Sequence, residues 1–107
     1  MDLLTTKQLK QKITDGENFV LDLFAPWCMP CKIMLNTLTQ VNESLIKESV
    51  GEPNYKIYKF DIETDKEFVI EELGIRSVPT IKIFKDGKEI FSKAGVMSQN
   101  EILQLLN

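Results

Sequence analysis

The feature that most constrains the fold is the segment Phe19–Phe24, which reads FVLDLF and is apolar at every position except Asp22. A strand with one face in water alternates apolar and polar residues, whereas so continuous a run is typical of a strand covered on both faces. Such a strand needs packed structure above it and below it. The segment therefore predicts a central sheet between two layers of helices.

Turn and capping signals mark where the other elements begin and end. Asp86-Gly87 is a strong hairpin signal between two β-rich stretches, and Ser98 with Glu101 predicts a capping box for a last helix. The predicted elements begin with an edge strand at Leu3–Leu4, a helix from Thr5 or Thr6 to Gly16, the buried strand Phe19–Phe24, and a long helix carrying Met34, Leu38, Val41 and Leu45. They continue with a strand at Tyr55–Asp61, a helix from Asp65 to Gly74, a strand at Thr80–Phe84, a returning strand at Glu89–Ser92 or slightly longer, and the last helix.

These elements follow one another as β-α-β-α-β-α-β-β-α. Helices link the first four strands and the last two form a hairpin, so we expect a mixed sheet. The predicted architecture is a three-layer α/β sandwich, with a central mixed sheet of about five strands flanked by four helices. Because no repeat or Pro/Gly-rich linker divides the sequence, residues 1–107 are expected to form a single domain.

Composition and charge exclude several classes of function. Thirteen basic against sixteen acidic residues give a net charge of −3, which argues against nucleic-acid binding, because such binding needs a basic face. No stretch reaches the ~18 apolar residues of a membrane span, and the first residues lack the layout of an export signal. We therefore expect a cytoplasmic protein. The absence of histidine excludes Ser-His-Asp and Cys-His catalytic pairs and His-ligated metals.

The two cysteines, Cys28 and Cys31, lie in the run WCMPC. As a stabilising bridge the pair would be poor, because so short a loop removes little entropy from the unfolded chain. As a zinc site it supplies half of the usual ligand set, so only a site shared between two chains would complete it. Two incidental thiols are a further alternative, but C-x-x-C near a βαβ pattern favours a dithiol/disulfide redox pair.

The predicted elements place Cys28 where the buried strand ends and the long helix begins. A helix N-terminus carries a partial positive charge and unpaired N–H groups, so a solvent-facing thiol there ionises more readily and acts as a nucleophile. Cys31 follows within the first turn, where it can attack a mixed disulfide formed at Cys28. Pro30 fits the first turn, because its missing N–H would have had no partner there.

Asp22 is the one polar residue of the buried strand, and a buried carboxylate is costly unless it is paired or protonated. It is expected either beneath the thiols, with a raised pKa and Lys59 on the neighbouring strand as its partner, or at a solvent-filled edge or local cap. Pro79 by default marks the start of a strand, since only about 5–6% of X–Pro bonds are cis in folded proteins.

Taken together, these motifs resemble the thioredoxin family over essentially the whole chain. Trp27–Lys32 matches its active-site run, and Asp22 stands six residues before the first cysteine, as in that family. Gly74–Thr80 resembles its substrate loop, Phe84–Lys88 its hairpin, and Lys93–Gly95 the segment before its last helix. Motifs at several matching spacings are a far more specific signal than a lone C-x-x-C.

The resemblance implies a thioredoxin-like fold and a role for each matching residue. Cys28 would be the attacking thiol and Cys31 the resolving thiol. Asp22 would be the buried acid that exchanges a proton, with Lys59 beside it. Pro79 would follow a cis peptide bond and pack against the disulfide.

The resemblance also implies a docking surface for disulfide-containing proteins. The backbone of Val78 would pair with an extended segment of the substrate. Residues at or bordering this apolar surface would be Trp27, Met29, Pro30, Gly74, Ile75, Val78 and Gly95.

The chain departs from the family pattern at several places. Met29 replaces a glycine between the cysteines, where residues tune the reduction potential, and it adds a flexible apolar side chain beside the site. Asn36 replaces a common kinking proline, Phe24 replaces a frequent tryptophan, and extra residues around 48–54 lengthen the link to the next strand.

The leading hypothesis is a protein-disulfide reductase that acts by dithiol–disulfide exchange. It would need no bound cofactor, would be recharged by an upstream reductase such as thioredoxin reductase, and is expected to be a monomer without nucleic-acid or membrane partners. One alternative is a glutaredoxin-like or oxidising enzyme whose potential Met29 has shifted. Another is a non-catalytic interaction subunit with the same fold.

Overall fold

The computed structural model describes residues 1–107 and contains five strands and four helices. In chain order they are β1 (Asp2–Leu3), α1 (Thr6–Thr14), β2 (Phe19–Phe24), α2 (Met29–Glu48), β3 (Lys56–Asp61), α3 (Lys66–Glu71), β4 (Thr80–Lys85), β5 (Lys88–Ala94) and α4 (Gln99–Leu105). The predicted order of elements and the mixed α/β architecture are confirmed.

The strands form one sheet in the order β1-β3-β2-β4-β5, which puts the apolar strand β2 at its centre. β1 and β2 run parallel to β3, whereas β4 runs antiparallel to both β2 and β5. The register places Asp22 of β2 beside Lys59 of β3 on one side and beside Ile81 of β4 on the other. The polar residue of the buried strand therefore lies in the middle of the sheet.

Each face of the sheet is covered by two helices, which makes the fold three-layered. On one face, β2 and β3 pack against α1 through Leu9 and against α3 through Phe68 and Val69. On the other face, the sheet packs against α2 through residues such as Met34 and against α4 through Ile102. Burying both faces of β2 explains its nearly continuous apolar sequence.

The helix starts follow the predicted capping residues. The side chain of Thr5 caps α1, that of Asp65 caps α3 and that of Ser98 caps α4, and Thr5 and Ser98 form reciprocal capping boxes. α2 runs without interruption over twenty residues. None of the helices is long and apolar enough to cross a membrane.

Several boundaries differ from the prediction. β1 is shifted by one residue, to Asp2–Leu3, β3 begins at Lys56, and β4 continues to Lys85. β5 runs from Lys88 to Ala94, which fits the slightly longer strand that was expected. α3 ends at Glu71 rather than beside Gly74, because the N–H groups of Leu73 and Ile75 bond to Phe68 and Val69 and close the helix early. Gly74, with φ +68°, then turns the chain so that Ile75 returns to the core.

A buried cation in β4 was not anticipated. The side chain of Lys82 lies on the α1/α3 side of the sheet opposite Leu21, and only 3% of the residue is exposed. Its Nζ forms an ion pair with Glu89 and lies 3.2 Å from the Ser92 hydroxyl, both on β5. The charge is therefore paired within the hairpin.

Candidate active site

The end of β2 and the start of α2 position the two cysteines. Cys28 is the N-cap of α2, and its N–H donates to the carbonyl of Ala25 at 3.1 Å, which tightens the loop that leaves the strand. The sulfur of Cys28 accepts the backbone N–H of Cys31 at 3.1 Å. This places Cys28 at the positive end of a twenty-residue helix, as the sequence predicted.

Cys28 and Cys31 are joined by a disulfide bond, with their Cα atoms 5.3 Å apart. Each residue is only 4% exposed, whereas a solvent-facing Cys28 was expected. In the disulfide form each sulfur covers the other, Ala25 completes the buried cluster, and Phe24, Ile62 and Val78 pack against it. Cys28 is therefore buried in the oxidised protein, and a solvent-facing Cys28 thiol stays a prediction for the reduced protein.

The first turn of α2 is electrostatically suited to a thiolate. It contains no acidic residue, so the unpaired N–H groups and the helix dipole are not opposed by a nearby carboxylate. Pro30 lies within this first turn, where the loss of an N–H removes no helical hydrogen bond. Opening the disulfide would leave a sulfur that this helix end stabilises as an anion.

Asp22 lies beside the disulfide in an environment that disfavours its charge. The residue is 1% exposed, and its Oδ1 accepts no hydrogen bond from the protein. It shares a cavity of about 190 Å³ with Cys31 and Lys59. Burial raises the pKa of Asp22 to about 7, and the opposing charge of Lys59 lowers it less than burial raises it. The alternatives of a solvent-exposed edge and a local cap are therefore excluded.

The loop before β4 closes the other side of the site. The Val78–Pro79 peptide bond is cis, and Val78 packs against the disulfide cluster. The N–H of Gly95 donates to the carbonyl of Pro79 at 2.8 Å, which holds the segment after β5 beside the proline. Pro79, Val78 and Gly95, which are far apart in sequence from the cysteines, are thus brought to the same end of the sheet.

The remaining residues expected at the docking surface differ in accessibility. Trp27 and Met29 are each 67% exposed, and Pro30 and Gly74 are also exposed. Ile75, in contrast, is only 5% exposed and belongs to the core cluster under α3. Its side chain is occupied by packing, so it contributes less to a docking surface than the sequence suggested.

Glu63 is a site residue that sequence reasoning missed. The indole N–H of Trp27 donates to Oε1 of Glu63 at 2.5 Å, and Lys66 lies 3.1 Å from the same carboxylate. The backbone N–H of Glu63 is itself fixed by the carboxylate of Asp61 at 2.9 Å. The sequence did offer one signal for this contact. Trp27 follows β2 and Glu63 follows β3, and because these strands are parallel, the residues that follow them lie at the same edge of the sheet.

The comparisons with known proteins agree with this geometry. The Thioredoxin family model matches residues 1–107. The thioredoxin of Rickettsia felis is 33% identical over 105 residues, which cover 97% of this chain and 93% of that protein. The thioredoxin of Mycoplasmoides gallisepticum is 31% identical over 107 residues, which cover 99% of each.

Solved structures share the fold. Chloroplastic thioredoxin z superimposes with a TM-score of 0.82 and 23% identity, covering 99% of this chain and 90% of that one. Plasmodium falciparum thioredoxin gives a TM-score of 0.80 and 24% identity, covering 99% and 96%. A third similar chain has a TM-score of 0.77 and 21% identity, covering 97% of this chain and 90% of that one. It comes from work on the thiol resolving mechanism in yeast mitochondrial 1-Cys peroxiredoxin via the glutathione and thioredoxin systems.

The family model covers the whole chain, and the paired cysteines lie at the helix terminus beside the buried acid. This chain belongs to the thioredoxin family of thiol–disulfide oxidoreductases.

Proposed function

We propose that this chain reduces protein disulfides, with Cys28 as the attacking thiolate, Cys31 as the resolving thiol and Asp22 as the proton acceptor for Cys31. The observation that carries the proposal is the juxtaposition of a disulfide at the N-terminus of α2 with a buried, unpartnered carboxylate in the same cavity. Neither a structural bridge nor an interaction module requires that carboxylate.

In the first step the reduced protein uses the thiolate of Cys28. Its sulfur attacks one sulfur of the target disulfide, an S–S bond forms between Cys28 and the target, and the target's own S–S bond breaks. The released target thiolate takes up a proton from solvent. The positive end of α2 favours this step, because it stabilises the Cys28 thiolate at neutral pH.

In the second step Cys31 must lose its proton before it can attack. The carboxylate of Asp22 accepts that proton within the shared cavity, and the Cys31 thiolate then attacks the sulfur of Cys28. The mixed disulfide breaks and the second target thiolate leaves. The target has gained two electrons, the cysteine pair has lost two, and Lys59 limits the cost of charge on Asp22.

The substrate is expected to dock across the end of the sheet where the cysteines lie. The backbone of Val78 would pair with an extended target segment, beside Pro79 and Gly95. The proposed substrates are proteins that carry disulfides. The similar chain from the work on thiol resolution in a 1-Cys peroxiredoxin supports this class of substrate. An upstream reductase such as thioredoxin reductase would return two electrons in the cytoplasm, with no cofactor bound to this chain and the chain acting as a monomer.

Reduction of insulin with dithiothreitol as electron source tests the proposal, using Cys28→Ser and Cys31→Ser as paired variants. We expect both variants to lose turnover. When the prereduced variants are mixed with insulin after dithiothreitol has been removed, only Cys31→Ser should accumulate a covalent mixed disulfide with the target, detectable by mass spectrometry. Turnover by Cys28→Ser would contradict the assignment of the nucleophile. An inactive wild-type chain would instead support the interaction-subunit alternative.

A further inference from the structure

The exposed apolar side chains of α2 are unevenly distributed along its length. Met29 is 67% exposed and Ile33 is 60% exposed, one turn apart at the end of the helix that carries the disulfide. Residues four apart lie on the same face of a helix, so these two side chains are neighbours.

The same helix face becomes polar immediately beyond Ile33. Its next positions are Asn36, Thr37 and Gln40, which are all polar and are exposed or half-buried. The apolar strip is therefore confined to the part of α2 that borders Cys28, rather than running along the whole helix. Any target disulfide that reaches Cys28 must contact the surface around this residue. Met29 and Ile33 extend that surface along α2.

We propose that Met29 and Ile33 form a specificity surface that favours targets with a large apolar side chain next to the reacting cysteine. This inference rests on the proposed disulfide reductase function and names the class of substrate that the site prefers. In an extended target each residue advances the chain by ~3.3 Å, so a side chain one to three residues from the target cysteine can reach this strip.

Two further features of this surface bear on which target side chains it can accept. The thioether of Met29 is flexible and adapts to side chains of different shape, which suits contact with many targets of one chemical class. Lys32 lies between the two residues in sequence, is exposed and has no ion-pair partner within the chain. A basic residue at this place in the target would therefore be disfavoured by charge repulsion.

Two synthetic peptides test the inference. Each contains one intramolecular disulfide, and the two differ only in whether leucine or serine follows the first cysteine. The measured quantity is the ratio of kcat/KM for the leucine peptide to that for the serine peptide. A substitution that changes the reduction potential or the stability of the protein alters kcat/KM for both peptides by the same factor. The ratio of the two values is therefore unaffected by such a change.

The variants are Met29→Ser, Ile33→Ser and the matched control Ile46→Ser. Ile46 lies on the same helix and is 57% exposed, but it is near the end remote from the disulfide. We expect a wild-type ratio of roughly 10, as one apolar side chain in an apolar contact gives. We expect Met29→Ser and Ile33→Ser each to lower that ratio at least twofold, and Ile46→Ser to leave it unchanged.

A wild-type ratio near one would overturn the inference, as would equal ratios in all four proteins. Failure of the proposed function has a different signature, because the wild-type protein would then reduce neither peptide. The two failures are therefore distinguishable in a single set of assays.

Discussion

Two charged side chains are buried in neighbouring central strands, and they differ in whether the protein pairs them. Lys82 of β4 reaches Glu89 and Ser92 on one face of the sheet. Asp22 of β2, on the opposite face, leaves its Oδ1 without a hydrogen bond from the protein. An unpaired buried charge lowers the stability of the folded state, so stability by itself gives no reason to keep a carboxylate at this position. The difference makes Lys82 part of the scaffold and supports the proposed role of Asp22 in proton transfer.

The largest expected effect of this difference is on stability. The pKa of Asp22 is raised to about 7 from 3.8, so the folded state binds this proton more tightly than the unfolded state. As pH rises from about 4 to about 7, the wild-type protein loses the stability associated with the protonated carboxyl. At ~1.4 kcal/mol per pKa unit, the loss at pH 8 has an upper bound of about 4 kcal/mol.

Asp22→Asn is therefore expected to stabilise the oxidised protein at pH 8 by roughly 2–4 kcal/mol, with the gain shrinking towards pH 4. Urea unfolding of both proteins at pH 4, 6 and 8 measures this. A destabilised variant at pH 8, or a gain that does not change with pH, would show that Asp22 is an ordinary satisfied core residue.

The same substitution is expected to slow the resolving step. Asparagine cannot accept the Cys31 proton, and general-base catalysis typically contributes ~10²-fold or more. The rate of mixed-disulfide resolution should rise with pH through about 7 in the wild-type protein, because the pKa of Asp22 is raised to about 7 by burial. Stopped-flow measurement of the second step should give a flatter pH profile for Asp22→Asn.

Lys59→Met provides a second way to move that profile. The charge of Lys59 lowers the pKa of Asp22, so its removal should raise that pKa and shift the midpoint of the rate profile to higher pH. An unchanged midpoint would mean that Lys59 does not act on Asp22. The titration of the Asp22 carboxyl, followed by NMR, gives the same comparison without turnover.

The paired cation should behave in the opposite way. Glu89→Ala would leave Lys82 buried with only Ser92 as partner, so we expect a loss of about 2 kcal/mol. Lys82→Met should cost less than about 1 kcal/mol, because the Glu89 side chain is 41% exposed and can be hydrated. Chemical denaturation of both variants tests the asymmetry, and equal losses would contradict it.

The smallest expected effect concerns Trp27, the one tryptophan of the chain. Its indole donates to Glu63, so Glu63→Ala should free the ring and change the fluorescence maximum without a measurable change in the unfolding midpoint. Lys66→Ala is the matched control, because it keeps the indole hydrogen bond and removes only the cation beside Glu63. A spectrum unaltered in Glu63→Ala would exclude Glu63 as the residue that positions Trp27.

Much of the fold could be predicted because its signals are local. The nearly continuous apolar composition of Phe19–Phe24 is enough to predict that the strand is buried. The capping box of Ser98 and Glu101 can be predicted from two residues that are three positions apart. The cysteine pair and the anomalous Asp22 were likewise visible in the sequence, since a carboxylate in an apolar strand requires an explanation.

The parts that could not be predicted depend on contacts between distant residues. The pairing of Lys82 with Glu89 follows from the β4–β5 register and its irregularity, which turn chemistry alone does not specify. The contact between Trp27 and Glu63 depends on how two loops meet at the sheet edge. Ile75 was expected to border the docking surface, and the early end of α3 leaves only 5% of the residue exposed, with the rest packed in the core.

The central claim is that the Cys28–Cys31 pair acts as a reductant of protein disulfides. The equilibrium reduction potential of this couple, from redox titration at pH 7, tests that claim most directly. We expect a value near the ~−270 mV of thioredoxin, low enough to reduce targets in a reducing cytosol. A value at or above about −200 mV would contradict the reductase assignment, point to glutathione coupling or an oxidising role, and make Met29→Gly the first reversion to measure.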